Sequence, residues 1–380
     1  MRSYNYEIKG FSDSPLGFEV IETSLMDDPA WDAFVESHPH GQFTQTSLWA
    51  QVRAVQGWQP VRIIIKETGH IVAGVQILTR LVPFAGKVGV IWRGPLYDFH
   101  QPALCGMIFE IISDLCKRLG VRFLALSLPS EDANLTQVVG DFGFVKNLLG
   151  DIDSQCDIVV DLSSGLEQIL ARMSSKRRKV LRRADNRGIV IREGTAQEVD
   201  VFYDLHVMSA QRQGFTPYSR KFYQKLWHIF APGQRVKLFI AEYEGRSVSA
   251  QIVILFKDMV SAYKIGWNRQ HANLYPNDKL DWYTICWAKE QGYRWYNFLG
   301  VEIPVAEALR RGQSIPHDHK YTYSDYKLGF GGQPVFYPPS YERVFLPGEK
   351  YLYRVVFANL KKIIPIHRLV LRYLLKRTAG

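Results

Sequence analysis

The residues best suited to chemistry in this 380-residue chain form one short segment, Tyr326-Lys327-Leu328-Gly329-Phe330-Gly331-Gly332. A lysine ammonium is a compact charge that can offset an oxyanion or a phosphate without leaving its place. The glycines beside it let backbone come close to a substrate or take a positive φ. Read alone, the same residues also describe a turn that ends a strand and carries a surface lysine. No G-x-S-x-G elbow or other recognisable nucleophile motif occurs, so the chemistry expected is one that needs no covalent enzyme intermediate. His317-Asp318-His319 could be offered as a metal site, but two histidines at i, i+2 with no clustered third ligand favour a polar loop. No metal is expected. The coenzyme A cradle Q/R-x-x-G-x-G/A is never complete: after Gln137 and Gln211, Phe142 and Thr216 stand where the second small residue belongs. No cofactor is expected either.

Two stretches of similar layout must position these residues. The first reads as helices at 28–35 and 45–53, strands at 61–65, 71–78 and 88–92, a long helix at 103–119 and a strand at 123–127. The second repeats that order, with helices at 165–173, 175–186, 199–212 and 219–230. Strands at 236–241, 247–255 and 259–263 follow, then a helix at 280–291 and a strand at 295–299. The expectation is an α/β chain of two duplicated lobes, at 18–155 and 156–345, with a basic helical tail at 346–380.

Composition is ordinary for a globular protein, at 47% hydrophobic and 22% charged residues, and 380 residues suit about two domains. Cys105, Cys116, Cys156 and Cys286 show no C-x-x-C pairing and read as buried, reduced thiols. The opening residues lack a secretory h-region, and no run approaches the ~18 apolar residues of a membrane span. A cytoplasmic location is expected. The net charge of +10 is unevenly spread. Lys176, Arg177, Arg178, Lys179, Arg182, Arg183 and Arg187 crowd one segment, and Arg354, Lys361, Lys362, Arg368, Arg372, Lys376 and Arg377 crowd the tail. Both clusters favour phosphates, nucleic acid or an anionic lipid surface. Pro365 divides the tail into two amphipathic helices at most, which could lie on a membrane or pack on the protein body.

Three segments in order carry a resemblance: Phe43-Thr-Gln-Thr-Ser-Leu-Trp49 with Arg53 and Gly57-Trp58, Trp92-Arg-Gly-Pro-Leu-Tyr-Asp98, and the Tyr326–Gly332 motif. Together they resemble the Fem family of peptidoglycan-bridge aminoacyltransferases over about residues 20–340. The resemblance implies two tandem acetyltransferase-like (GNAT) lobes. It also implies transfer of an amino acid from aminoacyl-tRNA to an amine of a lipid-linked muropeptide precursor, with peripheral contact at the membrane face. It places Lys327 and Asp98 at the catalytic centre, although Asp98 also reads as a helix N-cap. Arg53 and, beside it, Arg93 would hold precursor phosphates through their donor forks. Tyr263, Tyr218 and Tyr326 would line the substrate site.

The chain departs from some relatives in two ways. Tyr218 and Phe222 stand where those relatives carry an arginine and a tyrosine, which leaves the acceptor open. Residues 199–230 have room only for ordinary helices, so no coiled-coil arm is expected. Lys176, Arg177, Arg178, Arg182 and Arg183 would then supply phosphate contacts. The alternative keeps the fold and moves an acyl group from coenzyme A or a carrier protein. A binding module without catalysis is the third reading.

Overall fold

A computed structural model describes residues 2–6, 17–83, 85–98, 101–147, 151–184 and 187–345. The tail at 346–380 lies outside them. The chain divides into two units, one of residues up to Asp153 together with those from Tyr337, the other Ser154–Phe336.

In the first unit, β1 (Arg2–Tyr6), β2 (Phe18–Thr23), α1 (Pro29–Ser37), α2 (Ser47–Arg53), β3 (Gln59–Glu67), β4 (His70–Val82) and β5 (Gly86–Ile91) come first. Then follow β6 (Leu96–Tyr97), α3 (Pro102–Arg118), β7 (Val121–Leu126), α4 (Ala133–Asp141) and β8 (Val145–Lys146). The long helix α3 opens on a proline, whose fixed φ and missing N–H suit a first turn. Its Leu104, Ile108, Ile111, Ile112 and Leu115 pack on Ile63, Val75, Ile77 and Leu124 of the sheet as one apolar core.

The second unit contains β9 (Cys156–Asp161), α5 (Leu166–Arg172), α6 (Ser175–Ala184), β10 (Ile189–Glu193), α7 (Val199–Gln213), α8 (Arg220–Phe230) and β11 (Val236–Tyr243). It continues with β12 (Arg246–Phe256), β13 (Met259–Trp267), α9 (Pro276–Glu290), β14 (Trp295–Gly300), α10 (Ile303–Arg310), α11 (Tyr323–Leu328) and β15 (Gln333–Phe336). Its core gathers Phe239, Val253, Val260, Leu280, Ile285 and Phe298. The expected ordinary helices at 199–230 are α7 and α8, whose Phe202 and Tyr223 rings meet edge to face at 5.2 Å.

The sheets run β1-β2-β3-β4-β5-β7-β16-β8 and β10-β11-β12-β13-β14-β9-β15, where β16 is Tyr341–Val344. Here the structure corrects the expected lobe boundary. β9 follows β8 in sequence but sits in the second sheet, while β16 follows β15 but pairs β7 from Tyr341↔Leu126 to Val344↔Phe123. One strand, β16, therefore returns to the first sheet, and the residues from Tyr337 belong with the first unit. Four residues carry too little pattern to declare their sheet; the unpaired edge groups of β7 and β8 decide it.

Candidate active site

The site of the second unit begins where two strands part. β13 and β14 are parallel neighbours, yet they pair only at Met259↔Trp295, Val260↔Tyr296 and Ser261↔Asn297. Beyond that point β13 continues against β12 as far as Trp267, and β14 bends away through Leu299, which has a φ of +60°. The side chain of Asn297 sets the bend. Its Oδ1 accepts from the Leu299 N–H at 2.6 Å, and its Nδ2 donates to Asp157 Oδ2 at 2.9 Å. A gap thus opens at the carboxyl ends of parallel strands, the usual seat of ligands in such sheets. Tyr263 and Lys264 of β13 stand on one side of it, with the Lys264 ammonium 5.2 Å from the Tyr263 ring centre.

Lys327 enters from α11. This short helix is begun by Thr322, whose hydroxyl accepts from the Ser324 N–H, and the motif's glycines follow it as a turn with Gly331 at a φ of +78°. Thr322 in turn donates to Glu302 Oε2 at 2.6 Å, and His319 Nδ1 lies 3.3 Å from the other Glu302 oxygen. The Lys327 ammonium donates to the Gly300 carbonyl at 2.6 Å and to Leu299 at 3.4 Å, both at the bend of β14. Two of its three N–H bonds are thereby directed, leaving the third for a substrate. Burial pushes its pKa down to about 8; Asp157, Asp281 and Glu302 oppose that shift and Lys264 adds to it.

Tyr326 was expected at the substrate, and the structure turns its hydroxyl inward instead. That hydroxyl donates to the buried Asp281 Oδ2 at 2.6 Å, while the ring lies 5.4 Å from Phe330 and beneath the Arg177 guanidinium at 4.2 Å. Asp281, Gln251, Asp157 and Glu302 went unremarked in the sequence, because isolated polar residues on strands and helices carry no motif.

The basic cluster divides. Arg177 is buried, paired with Asp278 and donating to the Tyr326 carbonyl at 3.0 Å, so it is not a phosphate contact. Arg178 closes the end of α5 by donating to the Ala171 and Met173 carbonyls. An amphipathic helix must bury one stripe, and that stripe is Arg177, Leu181 and Ala184. Lys176, Lys179, Arg182 and Arg183 remain exposed. Lys176 sits 4.6 Å over the Tyr321 ring at the rim of a recess of about 390 Å³, whose walls include Tyr275, Asp325 and Tyr326.

In the first unit the equivalent strands do not part. β5 and β7 pair from Lys87↔Val121 to Ile91↔Leu126, and Ser127 extends the ladder by donating to Ile91 O at 2.9 Å. Arg53 is 1% exposed, its guanidinium 4.6 Å from the Trp92 ring and 5.7 Å from Trp58. Arg93 is also buried, 2.7 Å from Asp153 and 3.5 Å over the Tyr337 ring. Both guanidiniums are therefore held inside the fold against aromatic faces, Arg93 also against a carboxylate. Asp98 is exposed. The N-cap of α3 is Gln101, whose side chain donates to Asp98 Oδ2 at 3.4 Å, so the capping alternative does not hold. Tyr218 lies just ahead of α8 with its ring 4.3 Å from Phe222.

Comparison with known proteins places this geometry. Residues 26–138 match the FemAB family, and residues 171–321 match an acetyltransferase (GNAT) domain. The crystal structure of FemX superposes with a TM-score of 0.75 at 15% identity, over 88% of this chain and 99% of that one. The chain is thus similar to the FemAB family over residues 26–138 and to an acetyltransferase domain over residues 171–321. It has two GNAT-like units, and a tandem GNAT protein from the clavulanic acid pathway shares the fold at a TM-score of 0.55 and 10% identity, over 87% of this chain and 99% of that one. The UDP-N-acetylmuramoylpentapeptide-lysine N(6)-alanyltransferase of Weissella viridescens is 23% identical over 72% of this chain and 83% of its own length. The lipid II:glycine glycyltransferase of Staphylococcus saprophyticus is 21% identical over 60% of this chain. This chain spans 57% of that relative's length.

Proposed function

We propose that this chain transfers an amino acid from aminoacyl-tRNA to an amine of a lipid-linked peptidoglycan precursor. The observation that carries the reading is the Lys327 ammonium, held by two carbonyls at the open end of β13 and β14. The relatives named as alanyl- and glycyltransferases of muropeptide and lipid II acceptors support the class of acceptor. In the reaction, the acceptor nitrogen attacks the ester carbonyl, a C–N bond forms and the carbonyl oxygen takes up negative charge. Lys327 offsets that charge. Collapse breaks the C–O bond, and the proton lost by the amine ends on the ribose oxygen. Tyr263, on β13 beside the gap, borders the reacting ends. The exposed Lys176, Lys179, Arg182 and Arg183 suit the phosphates of the donor. Among the described residues no helix is long and apolar enough to cross a membrane.

Purified protein should transfer label from charged tRNA to a lipid-linked precursor, and ribonuclease should abolish it. Transfer that survives ribonuclease sinks the tRNA donor. The acetyltransferase match over 171–321 favours a second reading, an acyl thioester donor, so acyl-coenzyme A belongs in the same assay.

A further inference from the structure

We infer that Asp281 is a positioning residue for Lys327 and acts through the hydroxyl of Tyr326. The inference rests on the reading that Lys327 does the chemistry.

Asp281 is 2% exposed, in the middle of α9. A buried carboxylate is costly, and a core that needed only filling would take an apolar side chain. Here both oxygens are engaged. Oδ1 accepts from Gln251 Nε2 of β12 at 2.7 Å and from the Tyr296 hydroxyl of β14 at 3.2 Å. Oδ2 accepts from Tyr326 of α11 at 2.6 Å. One carboxylate thus ties four elements, and one of the four carries the reactive lysine.

α11 has six residues, too few for its own hydrogen bonds to hold it. Its place comes from anchors, and Tyr326 bears two: its hydroxyl on Asp281, and its carbonyl accepting from Arg177. Lys327 is the next residue. Its Cα is set by that anchor, and its ammonium then reaches Gly300 and Leu299 at the gap. Without the hydroxyl bond the last turn of α11 loosens and the ammonium moves off its carbonyls. Catalysis then suffers through misplacement of a charge, with substrate binding intact.

The test uses the full chain with Tyr326→Phe, which removes one oxygen, and Asp281→Asn, which keeps an acceptor for Tyr326. An NMR titration of the Lys327 ε-carbon accompanies the kinetics. Charged groups facing Lys327 are Asp157, Asp281, Glu302 and Lys264. Tyr326→Phe should lower kcat about tenfold with the acceptor KM within about twofold. It should also raise the Lys327 titration from about 8 toward the ordinary value, as the ammonium regains water. Asp281→Asn should retain most of kcat once the Gln251 amide flips, and should shift the titration down, if at all, because a carboxylate is lost. Opposite shifts separate placement from charge. Wild-type kcat with an unmoved titration in Tyr326→Phe overturns the inference, as does a lower melting temperature with unchanged turnover per folded molecule. If Lys327→Met keeps full turnover, the underlying reading fails, and the Tyr326→Phe titration still decides whether Asp281 places the lysine.

Discussion

The Lys327 ammonium lies 2.6 Å from the carbonyl oxygen of Gly300, at the point where β14 bends away from β13. A charge fixed by backbone needs no rearrangement when an oxyanion forms, which is the condition for strong electrostatic catalysis. Lys327→Met should therefore cut kcat by about 100-fold or more, leaving the acceptor KM within about twofold. The melting temperature should hold or rise, since a partly buried ammonium is removed. Steady-state kinetics beside a thermal melt checks both.

Arg177 and its neighbours on α6 should behave oppositely. Arg177 and Asp278 form a buried pair, so Arg177→Ala leaves a carboxylate alone in the interior and should cost about 3 kcal/mol. The triple change Lys179→Ala, Arg182→Ala, Arg183→Ala touches exposed side chains and should stay within about 0.5 kcal/mol per site. The triple variant should instead weaken RNA binding and flatten its salt dependence. Urea unfolding and binding titrations at several salt concentrations separate the two.

His206 predicts an acid limb in stability. It is buried among the rings of Phe202, Phe215 and Tyr223, and its Nδ1 lies 2.9 Å from the Ile265 carbonyl. Burial pushes its pKa from 6.5 down to about 4; the bond to Ile265 opposes the shift and Lys264 adds to it. The folded state thus prefers neutral imidazole. Its contribution is complete above the unfolded value and is lost as pH falls through about 4, roughly 3 kcal/mol in all. The difference in unfolding free energy between wild type and His206→Phe should shrink across that window.

The return of β16 to the first sheet predicts how the chain can be cut. A fragment of residues 1–153 lacks β16, which separates β7 from β8 in the intact sheet. That fragment should melt without a cooperative transition. Fusing residues 337–345 to its end through a flexible linker should restore one, as read by circular dichroism.

Long elements with strong periodicity were legible in the chain. Residues 103–119 read as a helix that the structure places at Pro102–Arg118, and the strands around 236–263 appear as β11, β12 and β13. Short elements were not. The strands β15 and β16 have four residues each, and α11 is a six-residue helix started by the Thr322 side chain just ahead of the glycine turn. Among site residues, Lys327 is singled out by the ordered set of three motifs that carries the family resemblance, since its glycine-rich segment alone also reads as a turn with a surface lysine. Asp281 did not, because a lone aspartate on an amphipathic helix looks like a solvated one.

By itself the sequence determined the residue types and the two-lobe order of elements, because periodicity and spacing are local properties. Only the tertiary structure decided which cations reach solvent and which are held inside. Arg53, Arg93 and Arg177 read as phosphate binders, yet each is buried against aromatic rings, and Arg93 and Arg177 also against carboxylates. A guanidinium suits a phosphate, a carboxylate and an aromatic face alike. Which of these it meets depends on residues far away in the chain, and folding alone brings them together.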